Sequence, residues 1–574
     1  MYTGSQLVVR ALEDEGITHA MGIPGTHNIE LYDALGVSRV SPVLVTDEQS
    51  AGFMADGYWR ASGRMACANL VPGAGFTHAL SGIAEAWMDN VPMLVLGCGI
   101  RRDVQMAYQL HDIDQLAMAA PVTKATFRPM TGEELYPTIR RACTLARAGT
   151  PGPVMVEIPI NLYLARHDVP ESSLVPSPAL PPPVASVADV ARVVEFLRRP
   201  GGPTLLYVGL GAAGAGADLV RLAELQGSPV ATTIQGKGVF PESHPLFLWN
   251  GFGRSAPPFA RKIAESCGRI LAIGCRFSEV GTAGYGMEMP GPLCHVDINA
   301  EVLGRNFPAE VKVESDAGPF VRDLVRQLES SREPRLTTHD LIAAGHAEVR
   351  AHWTAHRSTD RVSPPLLLQR LQATFGPETV YTTDSGNGTF LAMESLRLDR
   401  PGRFLAPVDY SCMGYSVPAA IGAKLARPEA PVVALAGDGA FLMTGLECLT
   451  AAAMGLAVGV IVLRDRELAQ ITQFQESAFN RAVASALPDY DLAALARGMG
   501  IECLSLSRDA EIDAVLERMR GIMQEGRPVL VDAAVDYSEK TWFTRGVVKT
   551  MLNRLPWKER LRFVARALGR KLTE

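Results

Sequence analysis

The stretch that decides the fold is "VVALAGDGAFLMTGLE", Val432 to Glu447. Its apolar run, Val432 to Ala436, halts at Gly437-Asp438-Gly439, and small and apolar residues resume at once. A short apolar run bounded by glycine reads as a buried parallel strand. The two glycines let the backbone turn tightly, and a helix is expected from Ala440–Phe441. A helix N-terminus presents unpaired N–H groups and about half a positive charge, which suits a phosphate. Asp438 sets a hard oxygen beside that anion site, as a protein would to hold Mg²⁺ or Ca²⁺ against a diphosphate. Taken alone, the pattern also fits an ordinary strand–turn–helix with an aspartate cap.

A second element narrows the choice. "VGVIVLRDRELAQITQFQ", from Val458, starts as a strand and breaks at Arg464-Asp465. Asp465 follows Asp438 by 27 residues, room for one helix and one strand. The two carboxylates can therefore converge at one sheet edge, where α/β proteins bind ligands. The main-chain carbonyl of Glu467 offers a third oxygen.

Similar apolar runs ("PMLVLG", "GPVMVEI", "PTLLYVG", "RILAIG") alternate with helix-like segments, which argues for parallel sheets covered by helices on both faces. Proline-rich Val169–Ser186 and the segment near Ser358–Pro365 read as linkers. They divide the 574 residues into α/β domains over 1–168, 187–345 and 360–535, with a tail over 545–574. Hydrophobic residues make up 47% and charged residues 20%, enough for a large core. A net charge of −6 gives no reason to expect a nucleic-acid partner. The nine cysteines are scattered with no C-x-x-C pair, which fits buried thiols in a cytoplasmic protein. No signal peptide opens the chain, and no apolar run reaches the ~18 residues of a membrane span.

Together these pieces resemble the thiamine diphosphate enzymes, in particular their acetolactate synthase-like group. The resemblance implies an α/β protein of three doubly wound parallel-sheet domains: pyrimidine-binding, central Rossmann-like and diphosphate-binding, in that order. The Gly437-Asp438-Gly439 turn and Arg464-Asp465 are similar to the family's GDG and its later Asn-Asn pair. That similarity implies Asp438, Asp465 and the Glu467 carbonyl as Mg²⁺ ligands, with Gly437, Gly439 and Ala440 against the diphosphate. Arg464 departs from the first Asn of the pair. "DSGNGTF", Asp384 to Phe390, resembles the second diphosphate loop and implicates Asn387 and Gly388. "DYSCMGYSVPAAIGA", from Asp409, resembles the segment that props the cofactor in a bent shape. Met413 is implied as the prop, and the Ser411 carbonyl as acceptor of the cofactor's amino group. Outside that context Met413 reads as core packing.

In the first segment "LVTDEQSAGFMADGYWRASG", Leu44 to Gly63, matches the family's activating-glutamate helix. It implies that Glu48 reaches the cofactor's pyrimidine ring in a partner chain. A carboxyl facing an apolar cofactor pocket is expected to hold its proton more tightly. The other reading of Glu48 is a helix cap or surface acid. "GIPGTHNIELYDAL", from Gly22, matches the first strand–helix turn, with Pro24 and Gly25 near the cofactor and Thr26 and His27 facing the substrate. "VPGAGFTHALSG" places Gly73 near the cofactor and His78 where the family commonly has Asn. "YQLHDIDQLAMAAPVTK" puts His111 where an imidazole can relay protons, the alternative being a structural histidine. In "AQITQFQ" Phe474 replaces a family Trp on the acceptor side, and losing the indole N–H should alter acceptor preference.

The middle segment carries Gly209-Leu210-Gly211, weak support for a nucleotide by itself, and Arg276-Phe277, which matches flavin-binding members. The expected cofactors are thiamine diphosphate and Mg²⁺, with FAD the less favoured addition. The implied function is decarboxylation of a pyruvate-like 2-keto acid with carboligation of the acyl unit to a second carbonyl acceptor. The implied assembly is a homodimer or homotetramer with active sites between chains. The rivals are a simple 2-keto acid decarboxylase, a flavin-dependent pyruvate oxidase-like or acyl-CoA-using relative, and a membrane-recruited non-catalytic binding protein. The last rival comes from the tail, which from Arg545 holds nine Lys/Arg against two Glu. Trp557, Leu561, Val564, Leu568 and Leu572 recur there at helical spacing. Such a basic amphipathic helix suits peripheral contact with the inner face of a membrane, packing on its own dimer, or closure over the active site.

Overall fold

A computed structural model describes residues 1–329, 338–355 and 357–571. Leu572 lies outside the described residues, as do the side chains of Val564 and Leu568. Three six-stranded parallel sheets form, one per expected domain. In the first, the spatial order is Ser41–Leu44, His19–Gly22, Cys67–Leu70, Met93–Gly99, Pro153–Pro159, Thr126–Phe127. The third runs Phe404–Leu405, Val380–Thr383, Val432–Gly437, Val458–Arg464, Val529–Ala534, Glu502–Leu506. Numbered along the chain, both read 2-1-3-4-6-5, so both reverse direction between their first and third strands. The middle sheet runs Phe247–Asn250, Val230–Thr232, Thr204–Val208, Arg269–Ile273, Leu293–Asp297, Val311–Glu314, the order 3-2-1-4-5-6. In open sheets of this kind ligands bind beyond the carboxyl ends of the strands where the order reverses.

The first and third domains share one core. The Glu48–Ser62 helix lies against Ser416–Ala426, and Phe53, Met54 and Tyr58 are buried with Val417, Ala420 and Ile421. Small residues make this approach close. A Cβ at Gly57 would stand 2.2 Å from the Ala419 carbonyl oxygen, and one at Gly422 would stand 2.0 Å from that of Met54. The short Thr46–Asp47 turn is also tied to the third domain, because Glu447 Oε1 accepts from Thr46 N (2.8 Å), Thr46 Oγ1 (2.7 Å) and Asp47 N (3.2 Å).

One boundary changes here. The helix after the Gly437 turn starts at Asp438, two residues earlier than expected, with Gly437 as its cap. The tail helix starts at Trp557, where the sequence reading set it, and a further helix precedes it. Trp542–Arg554 packs on the central domain, where Gly546 sits against the Ser255 backbone, and Trp557–Lys571 follows. Among the described residues no helix is long and apolar enough to cross a membrane.

The close helix contact gives a direct test. Gly57→Ala forces a methyl into backbone and should cost about 1–3 kcal/mol, read as a lower urea midpoint. Gly521→Ala, in the middle of Ile512–Gln524 with nothing within 4 Å of its added Cβ, should instead raise the midpoint slightly, by about 0.5–1 kcal/mol. Equal responses would mean that the first contact is looser than the structure has it.

Candidate active site

At the reversal of the third sheet, two loops close on a small cavity of about 120 Å³. One carries Asp384–Gly388 after Val380–Thr383; the other is the Gly437–Ala440 turn. The Asn387–Ser395 helix begins at this cavity, so two helix N-termini converge there and favour an anion. Gly386 has φ +134° and, like Gly437, would project a Cβ into open space, so both leave room for a ligand close to the backbone. Met413, Asp465, Glu467 and Ala469 complete the wall with Tyr537, Gln470 and Ile471. Met413 Cε approaches the face of Gly439, where a Cβ would lie 3.4 Å away.

The electrostatics of this cavity are unbalanced. Asp438 accepts from Gly439 N (2.9 Å) and from Arg466 N (2.7 Å), the latter presented by a residue at φ +68°. Asp465 sits beside it, and its pKa is pushed up to about 7, first by burial and then by the charges of Asp438 and Glu467. Arg464 does not relieve this. Its guanidinium turns away to Asp532 (2.8 Å) and Asp489 (2.8 Å) and stacks over Tyr490, tying strand Val458–Arg464 to its neighbour. The Glu467 bridge to Ala486 takes its hydrogen bonds through Arg466 and Leu468, leaving Glu467's carbonyl out of them. Two carboxylates and a spare carbonyl facing one cavity suit a divalent cation with oxygen ligands. Among the described residues no three His, Cys, Asp or Glu side chains are placed to hold a metal.

The other expected residues gather at the equivalent reversal of the first sheet. Asp47 takes the capping role, its carboxylate accepting from Gln49 N at 2.8 Å. Glu48, only 9% exposed, is thereby left free to face Gly75, whose added Cβ would lie 2.9 Å from Glu48 Oε1. His78 Nδ1 lies 3.4 Å from Glu48 Oε2, a contact that sequence reasoning passed over. Gly73, at φ +64°, packs under His111, itself at φ +67°. His111 meets His27 edge to face at 5.4 Å, and burial followed by that neighbour pushes the His27 pKa down. Thr26 bonds to His27 Nδ1 at 3.2 Å, and Gly25 N donates to Asn28 Oδ1 at 2.7 Å behind exposed Pro24.

Two residues fall outside these groups. Phe474 is half-buried one turn beyond Gln470 and does not line the cavity. Ser411, at φ +65°, borders it only through the bond of its hydroxyl to Ser385 at 2.8 Å. Tyr537, which sequence reasoning missed, was discoverable in principle because it follows directly on the carboxyl end of Val529–Ala534. A separate cavity of about 500 Å³ opens at the reversal of the middle sheet, lined by Gly211, Gly274, Arg276 and Asp297.

Comparison with known proteins agrees with this architecture. Residues 2–118, 190–324 and 384–533 match the N-terminal TPP binding, central and C-terminal TPP binding domains of thiamine pyrophosphate enzymes. The chain belongs to the thiamine diphosphate-dependent enzymes, in their acetolactate synthase-like group. It is 29% identical to a probable acetolactate synthase large subunit of Methanocaldococcus jannaschii over 93% of this chain and 92% of that one. It is 28% identical to the acetolactate synthase isozyme 1 large subunit of Escherichia coli, over 94% and 95%. An acetolactate synthase of Mycobacterium bovis is 29% identical over 94% and 89%.

The Asp465 environment predicts a pH signature in protein stripped of divalent cations. A carboxyl whose folded-state pKa is raised costs stability as pH rises from the ordinary carboxylate value of about 4 to about 7. Asp465→Asn should therefore raise the melting midpoint by an amount that grows across that window and then levels off. A gain independent of pH would contradict the crowding.

Proposed function

We propose that this enzyme decarboxylates a pyruvate-like 2-keto acid and joins the acyl unit to a second carbonyl compound. The observation that carries the reading is the convergence of Asn387, Met413, Asp438 and Asp465 on one cavity. Glu48 is held at the matching reversal of the first sheet, not in that cavity of its own chain. We infer that a second copy brings its Glu48 to the cavity, in a homodimer or a tetramer of dimers working in the cytoplasm.

Bound thiamine diphosphate would supply an acidic carbon that attacks keto-acid carbonyls and a ring that accepts the electrons released with CO₂. The protein supplies position and charge. Asp438, Asp465 and the Glu467 carbonyl would hold Mg²⁺ against the diphosphate, and that cation would remove the mutual repulsion that raises Asp465. N–H groups at Asn387, Gly388 and Ala440 would donate to the diphosphate oxygens, while Gly437 and Gly439 keep the turn close to them. Met413 would fix the cofactor's bend and the Ser411 carbonyl would accept from its amino group. The Glu48 carboxyl would exchange a proton with the pyrimidine ring nitrogen. Thr26, His27 and His111 would face the keto acid, the two imidazoles serving proton transfer. Phe474, on the helix that leaves the cavity, would contact the acceptor.

One observation favours a second reading, a flavin-dependent relative: the 500 Å³ cavity lies where a middle sheet of this order binds dinucleotides. A single preparation separates the two. Purified protein is given thiamine diphosphate, Mg²⁺ and pyruvate, with and without an aldehyde or second keto acid, and CO₂, product masses and flavin absorbance are recorded. Carboligation predicts CO₂ and a ligated product that needs no flavin. Glu48→Gln should lower the rate by about 10²–10⁴-fold. Failure to release CO₂ from any keto acid, or full activity in Glu48→Gln, would sink the reading.

A further inference from the structure

Behind the site lies a dense group of buried charges that the reaction does not use. It forms where the Ala74–Met88 helix passes beneath the loop from Val408 to Met413. Glu85, Asp89 and Asp56 are at most 1% exposed. Arg60 is the cation among them, with Nε 2.6 Å from Asp56 and Nη2 2.8 Å from Asp89. Tyr415 donates its hydroxyl to Asp56. From the central domain Arg276 pairs with Asp409 and stands 3.9 Å from Asp89.

Two of these acids grip the loop. Asp89 accepts from Val408 N and Asp409 N, each at 3.2 Å. Glu85 Oε2 accepts from Cys412 N at 3.0 Å, and its other oxygen meets no donor. Cys412 lies between Ser411 and Met413 in a loop with Ser411 at φ +65° and Gly414 at φ +84°. A non-glycine residue in that conformation persists only where its surroundings hold it.

We propose that Glu85 is a positioning residue that works in its neutral form, clasping the Ser411–Met413 loop by accepting from Cys412 N–H while donating its own proton to Asp89. The proposal rests on the reading that this loop receives thiamine diphosphate. An ionised Glu85 would place a third carboxylate around Arg60 and leave one oxygen without a donor, both costly in a dry interior. Burial, reinforced by the Asp89 charge, pushes the Glu85 pKa well above the carboxylate range. Asp89 goes the other way: burial opposes its charge, but Arg60 and the proton from Glu85 hold it down. The sign follows. A carboxyl with a raised folded-state pKa supports the fold while protonated, and that support is lost as pH climbs toward the raised value. Ionisation would set Glu85 against Asp89 and slacken the loop.

Thiamine diphosphate affinity, followed by intrinsic fluorescence at fixed Mg²⁺ from about pH 6 to about pH 10, tests this. Glutamine keeps the acceptor for Cys412 N–H and adds a permanent donor toward Asp89. Glu85→Gln should bind at neutral pH within about threefold of the parent, and Glu85→Ala about tenfold more weakly. The parent's affinity should fall on the alkaline side, and Glu85→Gln should remove that fall. Binding by Glu85→Gln as weak as by Glu85→Ala, or pH curves of the same shape for parent and Glu85→Gln, would overturn the proposal. A parent protein that binds no thiamine diphosphate at any pH would instead overturn the cofactor reading, and the proposal with it.

Discussion

The close packing of Glu48–Ser62 against Ser416–Ala426 is the constraint on which the rest depends. Gly57 and Gly422 let the two backbones meet almost without side chains between them. That contact fixes two sheets of identical strand order relative to each other, each presenting its reversal point to a ligand. It also buries charge. Arg60 leaves the first helix and is enclosed by Asp56, Asp89 and Tyr415 from three different elements. A buried network of this kind gains little stability over an apolar one but punishes misalignment heavily. Glu447 then carries the constraint to the site, since the turn just before Glu48 hangs from its carboxylate.

The second constraint is the charge left unpaired in the cavity. Asp438 is compensated by two main-chain N–H groups, while Asp465 is pressed toward neutrality by burial and then by its neighbours. Arg464 stands next in sequence, yet strand alternation sends its side chain to Asp532 and Asp489. The guanidinium nearest in sequence to Asp465 is thus spent on joining strand Val458–Arg464 to its neighbour Val529–Ala534. On the proposed reading the balance comes from Mg²⁺, and an all-carboxylate pair would favour a harder, more tightly held ion than an Asp–Asn pair.

Much of this was legible from residues alone. Strand ends marked by glycine located the Gly437 turn, and the spacing to Asp465 brought both carboxylates to one edge. The family resemblance, rather than the residues alone, put Gly25 and Gly73 near a cofactor; the glycine that faces Glu48 is Gly75. Where reading fell short, the cause was physical. Asp47 and Glu48 are adjacent acids before a helix, and only the structure shows which one the backbone N–H of Gln49 captures. The helix after Gly437 begins early because Asp438 itself adopts helical geometry with Gly437 as cap, a matter of one or two residues that propensity does not resolve. Phe474 shares a helix with Gln470 and Ile471 but sits a turn too far along it to line the cavity. Glu85 gives no signal at all, because a buried acid on a helix has the same one-letter appearance as a solvated one. Tyr537 follows a legible strand end, but that this strand lies beside Val458–Arg464, ahead of the preceding Glu502–Leu506, is a matter of strand order that a linear sequence does not display.

The tail makes sense in the same terms. Glu394 lies near the end of the helix whose beginning, Asn387, borders the cavity, and it accepts from Trp542 N (3.3 Å) and Phe543 N (2.9 Å). Burial raises its pKa to about 8. Phe543 stacks on Phe390 of that helix at 4.3 Å. The last helix returns to the other wall: Arg566 donates to Ala478 O at 3.0 Å, and Asn480 Nδ2 donates to Arg566 O at 3.2 Å, both at the far end of the helix that starts with Ala469. A cation there complements the partial negative charge of a helix C-terminus. Both helices that bracket the cavity are thus fastened at their distal ends by the C-terminal segment. These contacts are within one chain, a role apart from the membrane contact, dimer packing and active-site closure expected of the tail. Trp557 and Leu561 stay exposed, at 67% and 58%. One of the basic residues that suggested a membrane, Arg566, thus finds a use closer by, at the end of the Ala469–Phe479 helix, while Phe543 and the Trp542 and Phe543 N–H groups hold the Asn387–Ser395 helix.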